Sequence, residues 1–161
     1  MAEVPQTISG ATMNQFLVYP WNVRSVIFIR LAVGLIFLTQ GILKYIDPHM
    51  GVLRFTKIGF PYPGFTAHFV GSFEIACGLL VLIGLFTRVA GIPLLIVILT
   101  AIATTKIPEL FHRDQGFWFM VSDARTDFAM TMSLLFLIGA GAGSWSLDAW
   151  LWEERLHEAA N

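Results

Sequence analysis

The sequence has few charged residues, a single cysteine and no run of basic residues. Only 13% of its 161 residues are charged, against about a quarter in a soluble domain. So few charges cannot cover a water-facing surface. The formal net charge is −1, which gives no reason to expect nucleic-acid binding. Cys77 is the one cysteine, which excludes an intramolecular disulfide and a C-x-x-C redox pair.

Long hydrophobic segments make up most of the chain. Hydrophobic residues account for 56% of the sequence, and the mean hydropathy is +0.70. A membrane-spanning helix needs about 20 mainly apolar residues, and the spans are predicted at 23–43, 65–86, 89–105 and 128–142. We predict helices because an open sheet cannot satisfy its backbone in hydrocarbon. The expected fold is an all-α integral membrane four-helix bundle with short interfacial helices.

The expected organisation has three parts. Residues 1–22 form a polar N-terminal segment without the apolar core of a signal peptide. Residues 23–145 form the transmembrane domain, and residues 146–161 form an amphipathic C-terminal helix that Ser146 can cap. A short interfacial helix is predicted between the breakers of the 46–64 connection.

An even number of spans places both chain termini on one side of the membrane, which we call the terminal face. The connections 46–64 and 107–127 then lie on the opposite side, the loop face. More Lys and Arg residues flank the spans at the loop face than at the terminal face. The positive-inside rule therefore predicts that the loop face is cytoplasmic.

Ionisable residues inside a span are candidate functional residues, since a charge in the membrane is costly. Spacings of three and four place one set of residues on a single face of each of the first two spans. On span one the set is Arg30, Gly34, Phe37, Gly41 and Lys44, and on span two it is Ala67, Gly71, Glu74 and Gly78. We predict that Glu74 faces Gln40 and Lys44. A buried ion pair that only fixes helix register is the alternative.

The other polar residues of the spans have weaker functional signals. Asp127, near the start of span four, is either a functional carboxylate or a helix N-terminal one stabilised by the dipole. His68 is more typical of an interfacial hydrogen bond than of a ligand, and Thr100 and Thr104 are typical of bonds to their own helix. Arg30 is predicted to reach Asp148 or a nearby carbonyl in a structural contact.

Metal and haem signals are weak. Glu109 and His112 form one E-x-x-H motif, whereas a di-iron bundle needs two such motifs and further carboxylates. Bis-histidine haem needs two inward histidines, and only His68 falls in a span. We expect no metal, haem or nucleotide, while a diffusible organic redox cofactor stays open.

Three segments resemble the signatures of the DoxX family. They are RLAVGLIFLTQGILK at 30–44, EIACGLLVLIGLFTR at 74–88 and GAGSWSLD at 141–148. The resemblance covers most of the chain, although the 107–127 connection is long and Asp127 stands where Glu is expected. It implies a multi-pass protein of the bacterial inner membrane, related to the DoxD-type subunit of thiosulfate:quinone oxidoreductase. The charged motif positions fall on Arg30, Lys44, Glu74, Arg88 and Asp148.

Two functions follow as hypotheses. The first is a quinone-linked oxidoreductase subunit that works with a redox protein partner or second subunit, with the quinone head group reached from the loop face. Its predicted catalytic residues are Lys44, Glu74 and Asp127, and its predicted quinone contacts are Phe37, Gln40, His68 and Phe73. The second is a non-enzymatic assembly factor, partner anchor or small-solute carrier. Pro93, the only proline inside a span and near its start, weakens the carrier reading. An oligomer is compatible with either.

Overall fold

The computed structural model describes residues 24–110 and 116–160, and all the regular structure there is helical. The longer helices are α1 (Val26–Ile46), α3 (Pro63–Ile83), α4 (Thr87–Ala101) and α7 (Arg125–Ala140). The shorter ones are α2 (Val52–Ile58), α5 (Ile107–Leu110) and α6 (Gly116–Asp123), and α8 (Leu147–Ala160) ends the described chain. A π-helical turn, Ile102–Lys106, extends α4. The predicted segment 1–22 lies outside the described residues.

The predicted spans correspond to α1, α3, α4 and α7. Within the described residues three helices are long and apolar enough to cross a membrane: Val26–Ile46, Pro63–Ile83 and Thr87–Lys106. Helix α7 has 16 residues, about 24 Å at 1.5 Å per residue, and packs against α1 and α4. Helices α1 and α3 also contact each other, as do α3 and α4. The four helices therefore form a bundle in which each contacts the next along the chain.

Local sequence explains where the helices begin and end. Pro63 stands in the first turn of α3, where its missing N–H costs nothing. Gly84 ends α3 with φ of 73°, a left-handed conformation that glycine adopts without strain. Helix α4 begins at Thr87, earlier than predicted, so Pro93 lies in its second turn. The short turn between Ile83 and Thr87 makes α3 and α4 an antiparallel hairpin at the terminal face.

Glycines bring α1 and α3 close together. A Cβ added at Gly41 would lie 2.8 Å from the Gly71 carbonyl oxygen, and one added at Gly78 would lie 3.0 Å from the Leu38 nitrogen. Such distances leave no room for a side chain. The predicted inward faces are confirmed, because every member of both sets is buried except Lys44, which is half-buried.

The apolar core lies where the four helices meet. Its fully buried members include Val33 on α1, Val81 on α3, Leu94 on α4 and Leu134 on α7. Burying a side chain of this size contributes about 1.5–3 kcal/mol. The core separates the polar residues at the loop face from those at the terminal face.

Candidate functional site

Lys44 and Glu74 form an ion pair between α1 and α3. The Lys44 ammonium donates a hydrogen bond to Glu74 Oε2. Glu74 is only 3% exposed and lies 11 residues into α3, about 16 Å from its loop-face end. The predicted juxtaposition of these two residues is confirmed.

The pair lies in the wall of a cavity of about 470 Å³, the loop-face cavity. Small-molecule sites typically measure about 300–1,000 Å³. All four bundle helices and α2 contribute to the walls. The apolar part of the lining includes Ile36, Phe37, Phe55, Phe69, Val70, Ile96, Val97 and Met130. Polar side chains, with Gln40 and Lys44 among them, share the same space.

The charged residues of the cavity are only partly paired with one another. Lys106 donates to Asp123 Oδ2 across the loop-face rim. Arg54 on α2 and Asp127 on α7 also line the cavity. Within the described part of the chain, neither side chain has a hydrogen bond or an ion pair within 4 Å. Both interact electrostatically at longer range, Arg54 with Glu74 and with Asp127. Among the described residues the Gln40 amide likewise has no hydrogen bond. Three polar groups thus face the cavity without a protein partner in the described structure.

Two residues predicted as quinone contacts lie outside the cavity. The His68 ring is exposed, contacts the Tyr45 ring at 4.8 Å, and its Nδ1 lies 2.6 Å from the Gly64 carbonyl oxygen. Phe73 is exposed on the outer face of α3. Helix geometry is the reason, since each residue is adjacent in sequence to an inward one, Ala67 or Glu74, and is rotated about 100° from it. The other predicted residues, Phe37, Gln40, Lys44, Glu74 and Asp127, line the cavity.

Some cavity residues were not predicted as site residues. Arg54 was predicted to lie on an interfacial helix, and the Lys106–Asp123 pair was not predicted. An amphipathic pattern with one cation toward the apolar side was the available signal for Arg54. Thr100 and Thr104 bond to carbonyls of their own helix, as predicted, at 2.8 Å each. Both also line the cavity.

A second polar cluster, the terminal-face cluster of Arg30, Arg88 and Asp148, closes the other end of the bundle. Arg30 is buried and donates to four carbonyls: Val81 at 3.1 Å, Leu82 at 2.9 Å, Ala142 at 2.8 Å and Trp145 at 2.7 Å. The first two carbonyls lie in the last turn of α3, and the other two follow α7. Arg30 thus ties the two chain reversals together, which confirms the predicted contact with a nearby carbonyl.

Asp148, in the first turn of α8, bonds to the backbone at the start of α4. Its carboxylate accepts hydrogen bonds from the backbone N–H groups of Phe86 at 2.9 Å and Thr87 at 3.4 Å. Burial raises the pKa of the Asp148 carboxyl, while those two N–H groups and the charges of Arg30 and Arg88 act against the rise. The buried Arg88 side chain packs against Gly141, at the end of α7. The terminal-face cluster therefore has a structural role, since it holds the ends of α3, α4 and α7 together.

No metal centre is present in the part of the chain that the structure describes. No group of three or more His, Cys, Asp and Glu residues comes together there. The E-x-x-H of Glu109 and His112 falls partly within 111–115, outside the described residues. The expectation that no metal or haem is bound stays a prediction.

Comparison with known proteins places the chain among membrane proteins. A family model described as DoxX matches residues 25–107, which include Lys44, Arg54 and Glu74. The chain is 50% identical over 129 residues to the uncharacterized membrane protein Rv3486 of Mycobacterium tuberculosis, covering 77% of this chain and 79% of that protein. It is 25% identical over 127 residues to CatD of Bacillus subtilis, named as a candidate oxidoreductase, covering 79% of this chain and 87% of CatD. No solved structure gives a significant match.

Proposed function

The chain belongs to the DoxX family of multi-pass membrane proteins, and we propose that it is a quinone-linked oxidoreductase subunit of the bacterial plasma membrane. A redox protein partner supplies the electrons, and the loop-face cavity binds the quinone head group. Similarity to CatD, whose name contains the word oxidoreductase, agrees with this proposal.

The observation that carries the proposal is the combination of apolar walls and unpartnered polar groups in one cavity. A quinone ring is apolar on both faces and has carbonyl oxygens that accept hydrogen bonds. The guanidinium of Arg54 and the amide of Gln40 are donors that face the cavity. Phe37, which is 3% exposed, provides an aromatic wall against which a ring can pack. This lining matches a flat apolar ligand with polar atoms at its edge.

Asp127 is the residue to which we assign proton exchange with the bound quinone. Reduction adds two electrons and two protons to a quinone and yields a quinol with two hydroxyl groups. The Asp127 carboxyl lines the cavity at the loop-face end of α7, next to the exposed rim residues Asp123 and Thr126. It can therefore take protons from the aqueous side and pass them to the ligand oxygen.

Lys44 and Glu74 lie deeper and are bonded to each other. In our proposal this ion pair orients the quinone head group. The Lys44 ammonium can also donate a further hydrogen bond to a quinone oxygen. Cys77 is the single cysteine of the chain, so no dithiol within the chain can supply the electron pair. Our proposal assigns the supply of both electrons to the partner protein.

Binding of a short-tailed quinone to the purified protein in lipid nanodiscs tests the proposal. We expect saturable binding to the wild type and a decrease in affinity of up to about tenfold in Gln40→Leu, which loses the hydrogen bond from the amide to a quinone oxygen. His68→Ala is the matched control, because His68 lies outside the cavity and should leave the affinity unchanged. Absence of quinone binding to the wild type would refute the proposal. Co-purification of a stoichiometric partner together with that result would favour a non-enzymatic anchor or assembly factor.

A further inference from the structure

Two side chains of the loop-face cavity also reach the outer surface of the bundle. Phe69 on α3 is 52% exposed and Ile96 on α4 is 59% exposed, yet both line the cavity. A side chain that borders the cavity and also exposes half of its surface leaves no second layer of protein between the cavity and the outside of the bundle. Thr100, one turn from Ile96, is likewise both exposed and cavity-lining. The cavity wall at α3 and α4 is therefore only one side chain thick at these residues.

The depth of these residues places this thin wall in the hydrocarbon region. Phe69 lies six residues from the loop-face end of α3, and Ile96 lies ten residues from Lys106, the loop-face end of the third span. At 1.5 Å per residue these depths are about 9 Å and 15 Å. The hydrocarbon core is about 30 Å thick, so Ile96 is close to its middle.

The connection between α3 and α4 lies at the end of the bundle away from the loop-face cavity. The two helices are joined by a short turn at the terminal face, with Gly84 in a left-handed conformation. Toward the loop face they are not joined directly, and residues of both helices line the cavity there. We infer that the loop-face cavity opens sideways into the lipid through a lateral mouth formed by Phe69, Ile96 and Thr100, and takes a ligand whose apolar tail stays in the bilayer. This inference rests on the proposed function and names its substrate class: quinones with long isoprenoid tails.

A row of phenylalanines leads to the lateral mouth along the outside of α3. Phe65 and Phe69 have ring centroids 5.8 Å apart, and Phe69 and Phe73 are 4.9 Å apart. All three rings are exposed. A flexible isoprenoid chain that leaves the mouth can lie along this aromatic surface. Phe73, predicted as a contact of the quinone ring, thereby lies beside the path of the tail.

Filling the lateral mouth should separate the binding of the tail from that of the head group. We compare two quinones with the same head group, one with a long isoprenoid tail and one with a methyl group, in wild type and in Ile96→Trp. In the wild type the tail should improve affinity by at least about tenfold. Ile96→Trp should remove that advantage, so that the affinities of the variant for the two quinones agree within about twofold.

Ile92→Trp is the matched control, because Ile92 is 49% exposed on the same helix but does not line the cavity. It should behave as the wild type. An undiminished advantage of the tail in Ile96→Trp would overturn the lateral mouth while leaving the proposed function intact. Failure of both quinones to bind the wild type would refute the proposed function. A second readout then tests whether the lateral mouth exists.

That second readout uses a phospholipid with a photoreactive diazirine on its acyl chain. After irradiation of vesicles, mass spectrometry should find label on the buried cavity residues Phe37 and Met130 in wild type and Ile92→Trp, and none there in Ile96→Trp. Label confined to outward-facing side chains of the wild type would overturn the mouth. Long-tailed quinone should displace the label from Phe37. Label that persists at saturating quinone would identify a phospholipid chain, not a quinone tail, as the occupant.

Discussion

The two ends of the bundle treat their charged residues in opposite ways. In the terminal-face cluster, Arg30 donates to four carbonyls and Asp148 accepts from two backbone N–H groups. In the loop-face cavity, Arg54 and Asp127 have no hydrogen bond or ion pair within the described structure. Backbone groups therefore complete Arg30 and Asp148 at one end, whereas no described protein group bonds to Arg54 and Asp127 at the other.

The difference distinguishes a structural charge from a functional one. An unpartnered polar group within a membrane protein is costly, and Gln40, Arg54 and Asp127 are half-buried in the cavity wall, where a ligand or water can complete them. The terminal-face cluster closes chain reversals, where carbonyls and N–H groups at helix ends need partners. The cavity donors Gln40 and Arg54 serve no helix end, while Asp127 lines the cavity from the first turn of α7, where its charge also suits the helix N-terminus. We therefore regard the cavity as the functional end.

The largest expected effect on stability comes from disrupting the terminal-face cluster. Arg30→Met removes the donors of four carbonyls, and each buried group left unsatisfied costs about 1–3 kcal/mol. We expect the free energy of unfolding, measured by titration with SDS in mixed micelles, to fall by several kcal/mol. Arg24→Met, which removes an exposed arginine 5.8 Å from the Trp145 ring centre, should change it little. Equal small effects of the two substitutions would show that the terminal-face cluster does not stabilise the fold.

Helix contact between α1 and α3 joins the two ends and should show the next largest effect. Gly41→Ala places a Cβ 2.8 Å from the Gly71 carbonyl oxygen, and relieving such overpacking costs about 1–3 kcal/mol. Gly139→Ala on α7 meets nothing within 4 Å and should stabilise the protein by up to about 1 kcal/mol. The same SDS titration measures both variants. A stabilising effect of Gly41→Ala would contradict the close contact of the two helices.

The two ion pairs of the cavity should differ in strength. A double-mutant cycle of Lys44→Met and Glu74→Gln should give a coupling energy of about 1–3 kcal/mol, since Glu74 is buried and a single variant isolates one charge. The cycle of Lys106→Met and Asp123→Asn should give less than about 1 kcal/mol, because Asp123 is exposed at the rim. Coupling in the rim pair as large as in the deep pair would contradict this ranking.

The periodicity of the first two spans was sufficient to predict the pairing of Lys44 with Glu74. Inward faces repeat every three or four residues, and helices that pack closely must bring those faces together. The same rule, applied to His68 and Phe73, would have turned them outward, since each follows or precedes an inward residue by one position. Residue type alone suggests a quinone contact for both residues, whereas the direction of each side chain on the helix places it outside the cavity.

Arg54 could not be assigned to the cavity from spacing, because its position depends on how the 46–64 connection returns to the bundle. A Cβ at Gly51 would lie 2.3 Å from the Lys44 carbonyl oxygen, so the chain passes directly against the end of α1 before α2 begins. That close approach is a tertiary contact without a local sequence pattern.

Paired measurements on Arg54→Gln test the contrast between the two ends most directly. Its free energy of unfolding should stay within about 0.5 kcal/mol of the wild type, because within the described structure the side chain has no hydrogen bond or ion pair to lose. Its affinity for a short-tailed quinone should fall by about tenfold, the worth of a hydrogen bond from a charged donor. Lys57→Gln, exposed on the same helix and outside the cavity, should change neither quantity. A loss of stability in Arg54→Gln with unchanged quinone affinity would contradict the account, since Arg54 would then be a structural charge like Arg30.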